Sequence, residues 1–174
     1  RSVEFAKKFN VKFEVRSSLN NNPGTIVTEE TDSMEAVVIR GVALDKNQAK
    51  VTLVGVPDQP GMAARVFSSL AKAAINIDMI VQNISHGTAT PATDLSFTLD
   101  KSDLATAKKV IGELQADVKF VEAIADEDIA KVSVVGVGMR AHSGVAAKVF
   151  EMLGENGINI EMISTSEIKI SVVV

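Results

Sequence analysis

The residues best suited to chemistry form a short loop, Pro57-Asp-Gln-Pro-Gly61, between a predicted strand and a predicted helix. Free backbone N–H groups and the positive end of the helix dipole meet at such a position and favour a bound carboxylate. Gly61 lets the backbone approach a ligand closely, and Asp58 could hold an ammonium group. A ligand with both charges, an amino acid, fits this loop. On spacing alone, the same residues also fit an ordinary turn in which Asp58 caps the helix.

This loop belongs to a unit that occurs twice in the chain, at residues 51–80 and again at residues 132–163. Both copies have the pattern of a strand, a loop with glycine, an amphipathic helix and a second strand. The loop of the second copy, Gly138–Gly144, is two residues longer and has no counterpart of Asp58. The sequence therefore predicts two related but non-equivalent sites.

Hydrophobic periodicity predicts the elements that must position these loops. Helical spacing of apolar residues predicts three helices. The first covers 61–74, and the second begins after Ser102, which could serve as its N-cap. The third covers 145–156 and ends at Gly157. Strands are predicted at 35–44, 50–56, 77–84, 95–99, 118–125, 132–137, 158–164 and 168–174. The start of the chain is interpreted as a helix ending near Asn10, a strand over 11–15 and an acidic linker from Thr25 to Ser33, too little to fold alone.

The order of these elements predicts an α+β fold built from two ferredoxin-like β-α-β-β-α-β modules. The repeat extends upstream, because residues 42–51 match residues 123–132 in spacing. The strand at 35–44 is thus the counterpart of the last strand of module one, and we expect it to complete the sheet of module two. The modules would then be interlocked, one covering 45–125 and the other 35–44 with 126–174, and the second lacks its last helix in this chain.

Composition argues against several classes of function. A formal net charge of −4 without a run of Lys or Arg predicts no nucleic-acid partner. The chain has no Cys, no apolar run long enough for a membrane and no recognisable signal peptide, so we expect a cytoplasmic protein and no membrane partner. With two distant His residues and no Cys, no metal site is predicted. No phosphate-binding glycine motif or nucleophile–base set is present, so no catalytic residue is predicted.

The combination of motifs resembles a tandem pair of ACT domains, and more narrowly the C-terminal regulatory region of aspartate kinases. The match is carried by residues 54–61, 75–83, 135–145 and 159–168. The first 25 residues are similar to the last helix and strand of the catalytic domain of these kinases. On this resemblance, residues 1–33 would be the remnant of that domain plus a linker. Met34 falls where some family members begin a separate regulatory subunit.

The resemblance implies a parent enzyme that phosphorylates the side-chain carboxylate of aspartate with ATP, the first step towards lysine, threonine and methionine. ATP, magnesium and aspartate would bind to the upstream kinase catalytic domain. This fragment would therefore need no cofactor of its own, would not be catalytic, and would act by regulation.

The resemblance also implies an effector site between two chains that pair through their ACT modules as a homodimer. Threonine, lysine or both would be the effector, and binding would favour the inhibited kinase. One chain would contribute Asp58, Gly61, Met62, Ala63 and Gln82, and its partner backbone groups of Asn159 and Ile160. A second, pseudo-equivalent site would use Ser143, Gly144, Ala146 and Thr165 with Asn76 and Ile77.

Two other functions remain open on the sequence. The region could hold kinase subunits together as a dimerisation module without sensing an amino acid, or it could be the ACT region of another amino-acid biosynthetic enzyme. Individual residues also have simpler interpretations. Asn76 and Asn159 are ordinary turn formers, His142 fits a surface loop, and Gln82 and Thr165 could face solvent.

Overall fold

The computed structural model describes residues 2–28, 38–84, 91–140 and 142–174. No helix within these ranges is both long and apolar enough to span a membrane. The described helices are α1 (Ser2–Lys8), α2 (Met62–Lys72), α3 (Leu104–Val118) and α4 (Val145–Glu155), with short 3-10 helices at Lys101–Asp103 and Val137–Arg140. The strands are β1 (Phe13–Val15), β2 (Thr25–Val27), β3 (Gly41–Asp45), β4 (Gln48–Pro57), β5 (Ile77–Ile84), β6 (Ala92–Asp100), β7 (Glu122–Asp126), β8 (Lys131–Val135), β9 (Met162–Thr165) and β10 (Lys169–Val173).

Two four-stranded antiparallel sheets follow the same plan. Module one has the strand order β5-β6-β4-β7, and module two has the order β9-β10-β8-β3. β3 therefore occupies in module two the position that β7 occupies in module one. The register is also the same, because Val42 of β3 pairs with Val134 of β8 just as its equivalent, Ala123 of β7, pairs with Leu53 of β4. The interlocking expected from the repeat is confirmed, because β3 precedes module one in the chain and completes the sheet of module two. Within the described ranges, no helix of module two corresponds to α3.

The core of module one lies between its sheet and the helices α2 and α3. Leu95, Phe97 and Leu99 of β6 are buried on the helix side, as their alternation predicts. The Phe97 ring meets Phe67 of α2 edge to face, with ring centroids 5.5 Å apart. In α4, by contrast, no residue is fully buried, since no second helix among the described residues lies beside it. The helix that follows the first predicted loop is therefore more deeply buried than the helix that follows the second.

A second, smaller apolar cluster joins the two modules. It consists of the buried residues Met79 of β5, Met162 of β9, Val173 of β10 and Ile129, with Val81 packed against them. Met79 and Met162 occupy equivalent positions in the repeat, each after an Ile-Asn-Ile-acid sequence. The two modules thus meet through matching parts of their duplicated sequence.

Several boundaries differ from the sequence prediction for identifiable reasons. Residues 25–27, expected in the acidic linker, form β2, because these β-branched residues pair with β1 in antiparallel register. Val118, expected to begin a strand, ends α3, since the buried stripe of the helix continues to it and Lys119 closes the helix with φ +59°. β9 begins at Met162 rather than 158, because the Ile158 N–H still donates to the Leu153 carbonyl at 2.9 Å.

The start of α3 and the second loop also correct the prediction. The Asp100 carboxylate, rather than Ser102, caps the segment by accepting from the Ser102 hydroxyl at 2.7 Å and its N–H at 2.9 Å. These hydrogen bonds hold the pKa of Asp100 below its ordinary value of 3.8, the hydroxyl having the largest effect. Residues 137–140 form a 3-10 helix where an open loop was expected. Met34, the linker residues 29–33 and the first part of the strand predicted at 35–44 lie outside the described residues.

Candidate functional site

The predicted ligand loop lies between β4 and α2, and backbone hydrogen bonds fix its entry. A bulge precedes it at Gly55, which has φ +68° and donates its N–H to the Asp94 carboxylate at 2.9 Å. A Cβ at position 55 would lie 2.7 Å from the Val121 side chain, so both the conformation and the space require glycine. The Asp58 N–H then donates to the Pro91 carbonyl at 3.1 Å. The loop is therefore tied to the neighbouring strand before it reaches the helix.

The N-terminus of α2 has no side-chain cap, although the first helical N–H, that of Met62, donates to the Gln59 carbonyl at 3.3 Å. Gly61 precedes the helix with φ +92°, its carbonyl accepts from the Arg65 N–H at 3.0 Å, and no side chain caps the helix. N–H groups of the first turn have no partner inside a helix, and the positive end of its dipole lies beside them. The alternative in which Asp58 caps the helix is wrong. The Asp58 side chain is exposed, and it makes no hydrogen bond or ion pair with any other described residue.

A cavity of about 340 Å³ opens beside this loop. That volume is at the small end of the range of about 300–1,000 Å³ typical of small-molecule sites. Gln82 reaches it from β5, which pairs with β6 through Gln82 and Leu95. All five residues predicted for this chain's half of the site line the cavity, namely Asp58, Gly61, Met62, Ala63 and Gln82. A carboxylate, an amide and an uncapped helix N-terminus therefore meet at one small cavity.

Asn159 and Ile160 do not line this cavity in the same chain. They follow α4 in module two and precede β9, and Asn159 is exposed while Ile160 is partly buried. If they belong to the site, they must come from another copy of the chain.

The second loop resembles the first at the glycine that precedes the helix. Gly144 precedes α4 with φ +90°, and no side chain caps that helix. Ser143 precedes this glycine, Ala146 lies in the first turn of α4, and Thr165 ends β9, the strand that corresponds to β5. His142 is exposed, as expected of a loop residue, and its Nδ1 bonds with the Gly138 carbonyl oxygen at 2.8 Å. Asn76 and Ile77 lie in module one, just before and at the start of β5.

Sequence reasoning missed the far wall of the cavity. This wall is formed by Thr93 and Leu95 of β6. Val56 of β4 and the loop residues Gln59 and Pro60 also line the cavity. Thr93 lies opposite Val56 in the β4–β6 register, and both are buried. The alternation of Leu95, Phe97 and Leu99 predicts which face of β6 is buried. It does not predict that Thr93 lies opposite Val56, because that also requires the pairing of β4 with β6.

Comparison with known proteins points to a family for this chain. The ACT domain model matches residues 51–115 and 132–174. Over 176 aligned residues the chain is 47% identical to an aspartokinase of Pseudomonas aeruginosa, with all of this chain and 42% of that protein covered. The chain thus spans less than half the length of such relatives.

Solved structures agree with the sequence comparison. The regulatory subunit of aspartate kinase from Thermus thermophilus is 42% identical with a TM-score of 0.72, and the alignment covers 79% of this chain and 88% of that one. Escherichia coli aspartokinase III, in a structure with lysine and aspartate, is 26% identical with a TM-score of 0.73, and the alignment covers 97% of this chain and 36% of that one. The chain therefore belongs to the ACT-domain family, and within it to the regulatory regions of aspartokinases.

Proposed function

We propose that this chain senses an amino acid, lysine or threonine, and transmits its binding to an aspartate kinase as feedback inhibition. The observation that supports this most directly is the unpartnered Asp58 carboxylate beside the uncapped N-terminus of α2, at a cavity of about 340 Å³. The helix N-terminus suits the carboxylate of an amino acid, and Asp58 suits its ammonium group. The amide of the Gln82 side chain can donate a hydrogen bond to the carboxylate of the amino acid or accept one from its ammonium group.

We further propose that the site is completed by a second copy of the chain. β5 and β9 are edge strands of their sheets, and both carry exposed isoleucines, Ile80 and Ile84 in β5 and Ile163 in β9. A two-fold arrangement that sets module one of one chain against module two of the other would cover these side chains. It would also bring the Asn159–Ile160 backbone of the partner to the Asp58 cavity. Effector binding would then favour the arrangement that inhibits the kinase.

The parent protein, on this proposal, is a cytoplasmic kinase that uses ATP and magnesium in an upstream domain to phosphorylate aspartate. Residues 2–28 would pack against that domain. Exposed apolar side chains at Phe5, Phe9 and Val11 support such a contact, because an apolar surface of this kind is suited to burial. The chain itself would contribute regulation and no catalytic group.

Calorimetric titration of the chain with lysine and with threonine, separately and together, tests the proposal. We expect at least one of them to bind, and Asp58→Asn to weaken it about 10- to 150-fold, the loss expected for a hydrogen bond to a charged group. Asp128→Asn, an exposed carboxylate in the turn before β8, is the matched control and should leave binding unchanged.

Sedimentation of the same samples separates the two candidate roles. Dimerisation that strengthens with effector supports sensing. If neither amino acid binds and the dimer forms equally well without them, the region is a dimerisation module and the sensing proposal is wrong.

A further inference from the structure

Two ion pairs cross between the modules in a matching way. Lys50 of β4 in module one pairs with Glu161, which precedes β9 in module two. Lys131 of β8 in module two pairs with Asp78 of β5 in module one, and its Nζ also lies 3.8 Å from Asp45. The two lysines occupy equivalent positions in the repeat, and so do the two acids. Each module therefore supplies the lysine that holds the acid of the other.

The lysines of these two pairs are less exposed than those of the other ion pairs between described residues. The side chains of Lys50 and Lys131 are 19% and 16% exposed, against 54% for Lys108 in the pair that it forms with Glu127. The crossed pairs flank the apolar cluster of Met79 and Met162. Partial burial reduces screening by salt, so such pairs constrain their partners more than fully exposed ones do.

Each acid directly follows a segment predicted to complete an effector site. Glu161 follows Asn159 and Ile160, and its N–H donates to the Val173 carbonyl at 2.8 Å. Asp78 follows Asn76 and Ile77 in the same way, and the next N–H, that of Met79, donates to Thr98 Oγ1 at 3.1 Å. The backbone at the end of each segment is thus fixed within its own module, and the side chain is fixed by the other module.

We propose that Lys50 and Lys131 are positioning residues for the effector sites. Lys50 acts through Glu161 on the Asn159–Ile160 segment, and Lys131 acts through Asp78 on the Asn76–Ile77 segment. The inference rests on the proposed function, because these segments matter for binding only if they complete the sites. Its consequence is that each module sets the geometry of the segment that the other module presents to a partner chain.

Lys50→Met tests the first pair while it keeps the length and the apolar stem of the side chain. Amide hydrogen exchange, measured without effector, should be faster at Glu161 and its neighbours, while amides in the core of module one, such as that of Leu70, keep their rates. The Kd of the effector should rise roughly two- to thirtyfold, the range for changes that act through a coupled contact rather than on the ligand. Lys108→Met removes an exposed ion pair and serves as the matched control, with no change in either measurement.

The charge-reversed double variant Lys50→Glu with Glu161→Lys should recover both the exchange rate and the affinity, whereas each single reversal should not. Unchanged exchange at Glu161 in Lys50→Met overturns the inference, and so does a uniform acceleration throughout both modules, which indicates general destabilisation. If the unaltered chain binds neither lysine nor threonine, the proposed function is wrong. The exchange data then still decide whether Lys50 positions the segment.

Discussion

Replacing Gly61 with alanine should destabilise module one even though there is room for the added methyl group. Apart from the glycine and its two neighbours in sequence, no described residue has an atom within 4 Å of the Cβ position, so the cost comes from the backbone, which has φ +92°. A left-handed conformation costs an L-residue about 1–2 kcal/mol. Alanine loses less chain entropy than glycine on folding, which offsets about 0.4–1 kcal/mol of that cost. The free energy of unfolding should therefore fall by about 1 kcal/mol.

Gly112→Ala is the matched control for this substitution. Gly112 lies in the interior of α3, also without an atom within 4 Å of its Cβ position. Alanine there should raise the free energy of unfolding by about 0.5–1 kcal/mol, because glycine is a poor helix former. Urea unfolding followed by circular dichroism suits a chain without Trp or Tyr. If Gly61→Ala proves as stable as Gly112→Ala, the left-handed geometry at the start of α2 is refuted.

Three further substitutions test other parts of the fold by the same urea unfolding. Gly55→Ala should cost more than Gly61→Ala, because the contact of 2.7 Å with Val121 adds a clash of about 1–3 kcal/mol to the strained backbone, and an equal cost would contradict the bulge. Met79→Ala should cost about 2–5 kcal/mol as a buried truncation between the modules, and a negligible loss would show that they do not pack there. The pKa of Asp100 is lower in the folded protein than its ordinary value of 3.8, so its ionised carboxylate stabilises the fold above pH 3.8. This stabilisation is lost as the pH falls through the folded pKa. The wild type should thus lose its advantage over Asp100→Asn in acid, and a constant difference in Tm would contradict the cap.

The duplicated sequence accounts for how much of the fold could be predicted. The match between residues 42–51 and residues 123–132 predicted from sequence alone that β3 belongs to the sheet of module two. Segments with the same spacing in the two copies of a repeat are expected to pair with the same strand of their modules. The glycine at position 61 was singled out from its local position before a helix, and its φ of +92° requires the freedom that glycine has. What was predicted well is local or is repeated within the chain.

The parts that failed depend on contacts that sequence patterns do not carry. Val118 is apolar and could begin a strand or end a helix, and only its burial at the end of α3 decides between them. The pairing of Lys50 with Glu161 joins residues 111 positions apart, and it depends on how the two modules pack rather than on either module alone. Long-range side-chain pairs of this kind need the arrangement of the modules, which periodicity does not encode.

The two loops share a left-handed glycine before the helix but differ in the side chains that precede it. Gly61 and Gly144 have φ of +92° and +90°, so both helices present an uncapped N-terminus suited to a carboxylate. Only the first loop adds a carboxylate of its own, Asp58, and residues 138–144 contain no acidic residue. A zwitterion at the second loop would have to find its ammonium partner on another element or another chain. The left-handed glycine before the helix is therefore common to both copies of the repeat, whereas the acidic side chain occurs only in the first loop.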